Sequence, residues 1–259
     1  MKFKALLFDV DGTAVDLEVR NKKIIGHLMN QAGLSLNDDD WQYLSGMTDP
    51  DKWRALAGDD PLFSGGDPDF KNIFSTPVHF EQACEQSYKE DESDIHAVEQ
   101  TKRIVFEFIE NKRAVTAVSN SNFGNVRKNL RLADYGEKFD LSENSQVIVS
   151  KDFVIANGGK PKPAADAYKM GLQKINDIID DHRLRISPHD CLVLEDSVTG
   201  VRAGLKFGAT VIQITDNCDS PDMDEIKDLT GRYNGRYIAT TSDKLYQTYQ
   251  DIINDGPKP

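Results

Sequence analysis

Phe3-Lys4-Ala5-Leu6-Leu7-Phe8 runs directly into Asp9-Val10-Asp11-Gly12-Thr13, and this stretch decides how the rest of the sequence is read. The first six residues have the apolar composition of a buried strand, and the glycine marks where that strand breaks into a loop. Acids at the carboxyl end of a strand stand at the rim where open α/β sheets hold their ligands. Residues i and i+2 of an extended chain point to the same side, so Asp9 and Asp11 can both reach one reacting group. One can attack as a nucleophile while the other handles protons, and their joint charge invites a divalent cation. An Asp-rich turn before a glycine also serves as a plain loop cap, so the motif needs company further along the chain.

That company comes with an alternation of strand and helix patterns. Val115-Thr116-Ala117-Val118, Gln146-Val147-Ile148-Val149, Cys191-Leu192-Val193-Leu194, Thr210-Val211-Ile212-Gln213-Ile214 and Tyr237-Ile238-Ala239-Thr240 read as strands. Leu172, Ile175 and Ile179 recur at helical spacing, as do Leu245, Tyr249, Ile252 and Ile253. Strands alternating with helices predict an α/β fold, a doubly wound, mostly parallel, Rossmann-like sheet covered on both faces. Residues 17–97 break this rhythm. Ile24, Ile25, Leu28 and Met29 form a helical stripe ending near Gly33, and Trp53–Ala57 and Phe80–Tyr88 also read as helical. Between the last two, Gly58–Pro77 reads as a long Gly/Pro/Asp/Ser loop. The expected organisation is a core from 1–16 and 98–259 with a helical cap domain inserted at 17–97.

Composition narrows the partners. The 259 residues include 43 acids against 31 bases, a formal charge of −12. Residues 17–97 hold 16 acids and seven bases, a net of −9. An acidic surface argues against nucleic acid or an anionic membrane as the main partner. No stretch approaches the roughly 20 apolar residues of a membrane span. The apolar run after Met1-Lys2 ends within a few residues at Asp9, too soon for a signal peptide, so a cytoplasmic location is expected. Cys84, Cys191 and Cys218 are too few and too scattered for a disulfide framework or a zinc site.

Three further segments stand at the same predicted rim. Val118-Ser119-Asn120-Ser121-Asn122 ends the second strand with a hydroxyl and main-chain N–H groups, the donors a phosphate needs, although the same residues also suit a helix cap. Gly158-Gly159-Lys160-Pro161-Lys162-Pro163 precedes a helical run from Ala164 and would fix a basic side chain at a helix start. There it can offset the charge of a phosphate and of an attacking carboxylate. Leu194-Glu195-Asp196-Ser197-Val198-Thr199-Gly200 again sets carboxylates at a strand end, and Asp9 with Asp196 would supply the one or two carboxylates that Mg²⁺ prefers.

Taken together the four segments resemble the haloacid dehalogenase superfamily of phosphohydrolases, in the subgroup with a helical cap inserted after the first motif. Asp9-Val10-Asp11-Gly12-Thr13 matches the first motif and Val118-Ser119-Asn120-Ser121 the second. Lys162-Pro163 with Asp166 and Tyr168 matches the third, and Leu194-Glu195-Asp196-Ser197 with Gly200 the fourth. The likeness continues through Ala203, Gly204, Gly208 and Ala209, whereas the cap matches weakly apart from Leu44-Ser45-Gly46. Lys160-Pro161-Lys162-Pro163 satisfies Lys-Pro-x-Pro literally. The distance to the following Asp and aromatic favours Lys162, with Lys160 in reserve.

The resemblance implies a Mg²⁺-dependent phosphatase for a small sugar, polyol or similar metabolite phosphate, working through an aspartyl-phosphate. In that reading Asp9 is the nucleophile and Asp11 the acid and base. Ser119, Asn120 and Thr13 contact the substrate, and Lys162 neutralises charge. Asp9, the Asp11 main-chain carbonyl and Asp196 hold the metal, with Glu195 behind them. An acid at position 11 argues against the superfamily's dehalogenases and ATPases. A sugar phosphomutase of the β-phosphoglucomutase type shares all four motifs and is the alternative. A non-catalytic phosphometabolite-binding protein would be expected to lack Asp9 or Asp11, and both are present.

Overall fold

Six strands pair in one sheet, and every pairing in it is parallel. The computed structural model describes residues 3–44, 49–90, 95–142, 147–179, 184–216, 228, 231–233 and 235–255. In chain order the strands are β1 (Ala5–Phe8), β2 (Val15–Asp16), β3 (His96–Ala97), β4 (Ala114–Val118), β5 (Ile148–Val149), β6 (Cys191–Glu195), β7 (Thr210–Ile214) and β8 (Tyr237–Thr240). The large sheet has the order β5-β4-β1-β6-β7-β8, while β2 and β3 form a separate antiparallel pair. β1, β6 and β7 are buried along their whole length, which is why Ala5–Phe8 and Cys191–Leu194 read as unbroken apolar runs, while β7 carries Thr210 and Gln213 among apolar residues. The strand expected from Gln146 begins, in the described part, at Ile148; Gln146 lies outside the described residues.

The strand order reverses between β1 and β6. Ligands of open parallel sheets sit in the crevice at such a switch, beyond the carboxyl ends of the strands. Asp9 follows β1 directly, and Glu195-Asp196 closes β6. Right-handed crossovers leaving the switch in opposite directions put helices on both faces. On one face Gly171 of the helix Asp166–Asp177 rests on the sheet: a Cβ there would stand 3.1 Å from Leu7. The helix Glu99–Glu110 belongs to the other face, where Phe108 meets Tyr249 of the helix Leu245–Asp255 with ring centroids 6.0 Å apart. The fold is thus the doubly wound sheet expected from the alternation. Among the described residues no helix is long and apolar enough to cross a membrane.

The chain divides into two compact units, Met1–Asp16 with His96–Pro259, and Leu17–Ile95. The pairing of Val15 with Ala97 and Asp16 with His96 belongs to the first unit. The second unit is helical: α1 (Glu18–Gln31), α2 (Asp38–Leu44), α3 (Asp49–Leu56), α4 (Phe70–Ile73) and α5 (Pro77–Glu90). Its core gathers Ile25, Leu28, Met29, Trp53, Leu56 and Phe80. The loop expected at Gly58–Pro77 holds a helical turn, α4, and buries Phe63, Phe70 and Phe74. Phe70 and Phe74 pack edge-to-face against Phe80, with ring centroids 5.6 and 5.3 Å apart. Phe63, Phe70 and Phe74, seven and four residues apart among turn-forming residues, bury enough apolar area to pin the segment down. Ser45 and Gly46 of the expected cap motif lie outside the described residues, as do Asp94, Cys218 and Gly256–Pro259.

Candidate active site

Asp9 leaves β1 at the switch point and is 7% exposed. The Lys162 ammonium donates to Asp9 Oδ1 at 2.5 Å and to Glu195 Oε1 at 2.6 Å, so one buried cation bridges the ends of β1 and β6. Its reach depends on Asn120, whose side-chain amide clamps the Lys162 main chain from both sides. Asn120 Nδ2 donates to the Lys162 carbonyl at 3.2 Å, and Lys162 N donates back to Asn120 Oδ1 at 3.1 Å. Lys160, two residues earlier, is exposed, and its main-chain N–H donates to Asp166. The geometry thus brings Lys162 to Asp9 and leaves Lys160 in solvent.

The end of β6 is built around its two acids. Glu195 is fully buried, and besides Lys162 it accepts from the Tyr168 hydroxyl at 2.6 Å and the Ser197 hydroxyl at 3.2 Å. Ser197 also caps the following helix, Val198–Phe207, by accepting from Gly200 N. A Cβ at position 200 would fall 1.8 Å from Glu195 Oε1, so glycine there makes room for the carboxylate. Asp196 accepts from the Thr13 hydroxyl at 3.0 Å. Gly12, at φ +87°, lets the first loop pass Asp196, whose Oδ2 a Cβ would meet at 2.1 Å. Gln213 holds the Asp196 carbonyl at 2.9 Å and is itself held by the Tyr237 hydroxyl at 2.5 Å.

Oxygens of Asp9, Glu195 and Asp196 all lie within 4.8 Å of one another. Three carboxylates against one ammonium leave a buried net charge of −2 when all are ionised. A divalent cation would cancel that charge, and an all-oxygen donor set suits a hard ion such as Mg²⁺. The residues therefore fit the metal that the sequence resemblance implies.

Burial, together with the same charge excess, shifts the protonation of the site. Burial pushes the Asp9 carboxyl well above the usual range; Lys162 opposes this, and Glu195 and Asp196 reinforce it. Burial and the neighbouring Glu195 push Asp196 up to about 7. Burial by itself would lower the Lys162 ammonium, but Asp9 and Glu195 outweigh it and hold that pKa above its ordinary value.

A stability prediction follows from the sign of these shifts. A carboxyl whose folded pKa is raised stabilises the fold fully below its unfolded pKa of about 4 and loses that contribution as pH rises through the folded value. Without divalent cation, thermal stability should therefore fall between pH 5 and pH 8 as Asp196 ionises near 7. Millimolar Mg²⁺ should flatten the decline. Melting curves in EDTA and in Mg²⁺ across that range check it; a curve rising with pH in EDTA would contradict the shifts.

Asp11 has a different set of partners. Its Oδ2 accepts from the Ser121 hydroxyl at 2.5 Å and, at 3.4 Å, from the Ser119 hydroxyl; its Oδ1 accepts from Asn129 Nδ2 at 2.9 Å. The two acids of the first motif, two residues apart, are thus held by separate groups. Ser119 is 2% exposed and its hydroxyl accepts from Ser121 N. Of the residues singled out in the sequence, Asp9, Lys162, Asp196 and Thr13 are linked through Glu195 and Asp196, while Ser119 and Asp11 meet beside them. Gln213, Tyr237 and Asn129 were not singled out. Gln213 had a visible signal, a polar residue in the apolar run of β7.

The model for the haloacid dehalogenase-like hydrolase family matches residues 3–208, and the chain belongs to that family. A Saccharomyces cerevisiae protein described as a probable pseudouridine-5'-phosphatase is 37% identical over 79 residues, 30% of each chain. Hexitol phosphatase A of Escherichia coli is 35% identical over 68 residues, 26% of each chain. The matched stretches thus span less than a third of those curated relatives. In overall fold the chain is similar to a haloacid dehalogenase family hydrolase of Deinococcus radiodurans solved with bound phosphate and sodium. The TM-score is 0.66 at 24% identity, covering 96% of both chains.

Proposed function

We propose that this protein is a Mg²⁺-dependent phosphatase that hydrolyses a small phosphomonoester through an aspartyl-phosphate. The observation that carries the reading is the buried Asp9–Lys162–Glu195–Asp196 cluster at the switch point, in a member of a hydrolase family. Asp9 attacks phosphorus: the bond from its carboxylate oxygen to phosphorus forms as the bond to the leaving oxygen breaks, and Asp11 gives that oxygen its proton. In the second step Asp11 takes a proton from water, the water oxygen bonds to phosphorus, and the Asp9 carboxylate is released. Lys162 holds Asp9 in place and offsets phosphoryl charge. The Ser119 hydroxyl and the Asn120 main-chain N–H hold phosphoryl oxygens, the Asn120 side chain being committed to Lys162. Asp9, Asp196 and the Asp11 main-chain carbonyl would hold Mg²⁺, which when bound draws negative charge off the phosphoryl group. Thr13, whose hydroxyl is spent on Asp196, is assigned to fixing that carboxylate rather than to the substrate. Free, buried Cys84 and Cys191 accord with a cytoplasmic enzyme.

The test is release of inorganic phosphate from a panel of sugar, polyol and nucleoside monophosphates and of bisphosphates. Activity should appear with Mg²⁺ and vanish with EDTA. Residues 17–97, net −9, are proposed to disfavour anionic leaving groups, so esters of neutral polyols, sugars or nucleosides should give higher kcat/KM than bisphosphates. Interconversion of sugar phosphates without net phosphate release would overturn the phosphatase reading in favour of a mutase. A bisphosphate preferred over every neutral-leaving-group ester would sink the charge argument alone.

A further inference from the structure

Asn129 stands out on the helix Phe123–Leu132. It is 5% exposed, and its neighbours on the inward face are the apolar Val126 and Leu130. Asparagine is a poor helix former, and a buried amide must find partners to offset its lost hydration. Its Nδ2 donates to Asp11 Oδ1 at 2.9 Å, across 118 residues of sequence. A carboxylate oxygen only accepts, so the amide must turn its nitrogen toward Asp11.

The two oxygens of Asp11 are held by different kinds of donor. Oδ2 faces the hydroxyls of Ser121 and Ser119, which can rotate and either donate or accept. Oδ1 faces the NH₂ of Asn129, which is fixed on a helix and can only donate. Pinning from two elements, the loop after β4 and the helix beyond it, removes free rotation of the carboxyl group. An acid–base group must stand within about 3 Å of the proton it moves, so its orientation is part of its rate.

We propose that Asn129 is a positioning residue that fixes the Asp11 carboxyl group, reserving Oδ1 as an acceptor and presenting Oδ2 for proton transfer. The proposal rests on the phosphatase reading above. Asn129 touches neither substrate nor metal in this account; it acts through Asp11.

Asn129→Leu keeps the same branched heavy-atom skeleton, though it is larger, and deletes the donor. With the best substrate of the panel it should lower kcat about 10-fold, a part of the ~10²–10⁴-fold that general acid–base groups contribute, while KM changes less than about twofold. In an Asp11→Asn background the same substitution should change kcat less than about twofold, because the group it positions is already gone. Asn129→Ser, which shortens the side chain, should behave as Asn129→Leu does and covers the case in which leucine disturbs the fold. Melting temperature and circular dichroism confirm that each variant is folded.

Equal kcat for folded Asn129→Leu or Asn129→Ser and the parent overturns the proposal while the phosphatase reading stands. So does an equal loss with and without Asp11, since that marks a general packing role. No phosphate release by the parent protein on any ester overturns both.

Discussion

Asp9→Asn is expected to abolish turnover without weakening the fold. The substitution conserves shape and removes the attacking oxygen's charge, so kcat should fall by on the order of 10⁴-fold or more, the scale seen when a catalytic nucleophile is deleted. Stability should respond in the opposite direction to that usual for a buried charge pair. Burial already works against ionised Asp9, and the cluster carries more carboxylates than cations. A neutral amide at position 9 lowers that excess, while Lys162 keeps Glu195 as its partner. Above pH 7 in EDTA the variant should therefore melt at or above the parent temperature, with a weaker dependence on pH. Phosphate release by rapid quench and melting curves read the two effects separately. A fully active Asp9→Asn protein would refute the mechanism, and an inactive, unfolded one would refute the electrostatic account.

Lys162→Ala is expected to cost both rate and stability. Its ammonium is the bridging cation between Asp9 and Glu195, 3% exposed at the side chain. Removing one partner of a buried ion pair leaves uncompensated charge, a loss of about 3–5 kcal/mol. Loss of a donor that offsets developing charge typically costs ~10²–10³ in kcat. Lys160→Ala, at an exposed position, should stay within about 0.5 kcal/mol of the parent and keep its rate. Denaturant titrations and steady-state kinetics on the two variants separate the lysines; the reverse pattern would move the catalytic role to Lys160. Asn120→Ala should reproduce part of the Lys162 loss, because it removes the amide that clamps the Lys162 main chain.

Much of this was legible in the residues. Continuous apolar runs such as Cys191–Leu194 signal strands covered on both faces, and carboxylates directly after two of them place chemistry at the sheet's rim. Lys162 was favoured over Lys160 by its distance to Asp166 and Tyr168, and the structure shows Tyr168 on the same Glu195 oxygen as Lys162. Gly58–Pro77 is loop and turn for most of its length, as its Gly, Pro, Asp and Ser residues signal, but Phe63, Phe70 and Phe74 are buried within it and Phe70–Ile73 is helical. The aromatics win only once Phe80 and Trp53 supply a core for them.

The sequence by itself determined the fold class and the set of acids and bases available for chemistry. Strand and helix periodicity is local, and a motif's residue types carry their reactivity wherever they fold. Tertiary structure alone decided how those groups share their partners. Asp9 and Asp11 are two residues apart, yet Lys162 holds the first while Ser121 and Asn129 hold the second. Asn129 and Gln213 acquire their roles only from groups 118 and 17 residues away, the Asp11 carboxylate and the Asp196 main-chain carbonyl. Hydrogen bonds and buried charge depend on distances of a few ångströms between residues remote in the chain, and no local pattern encodes those distances.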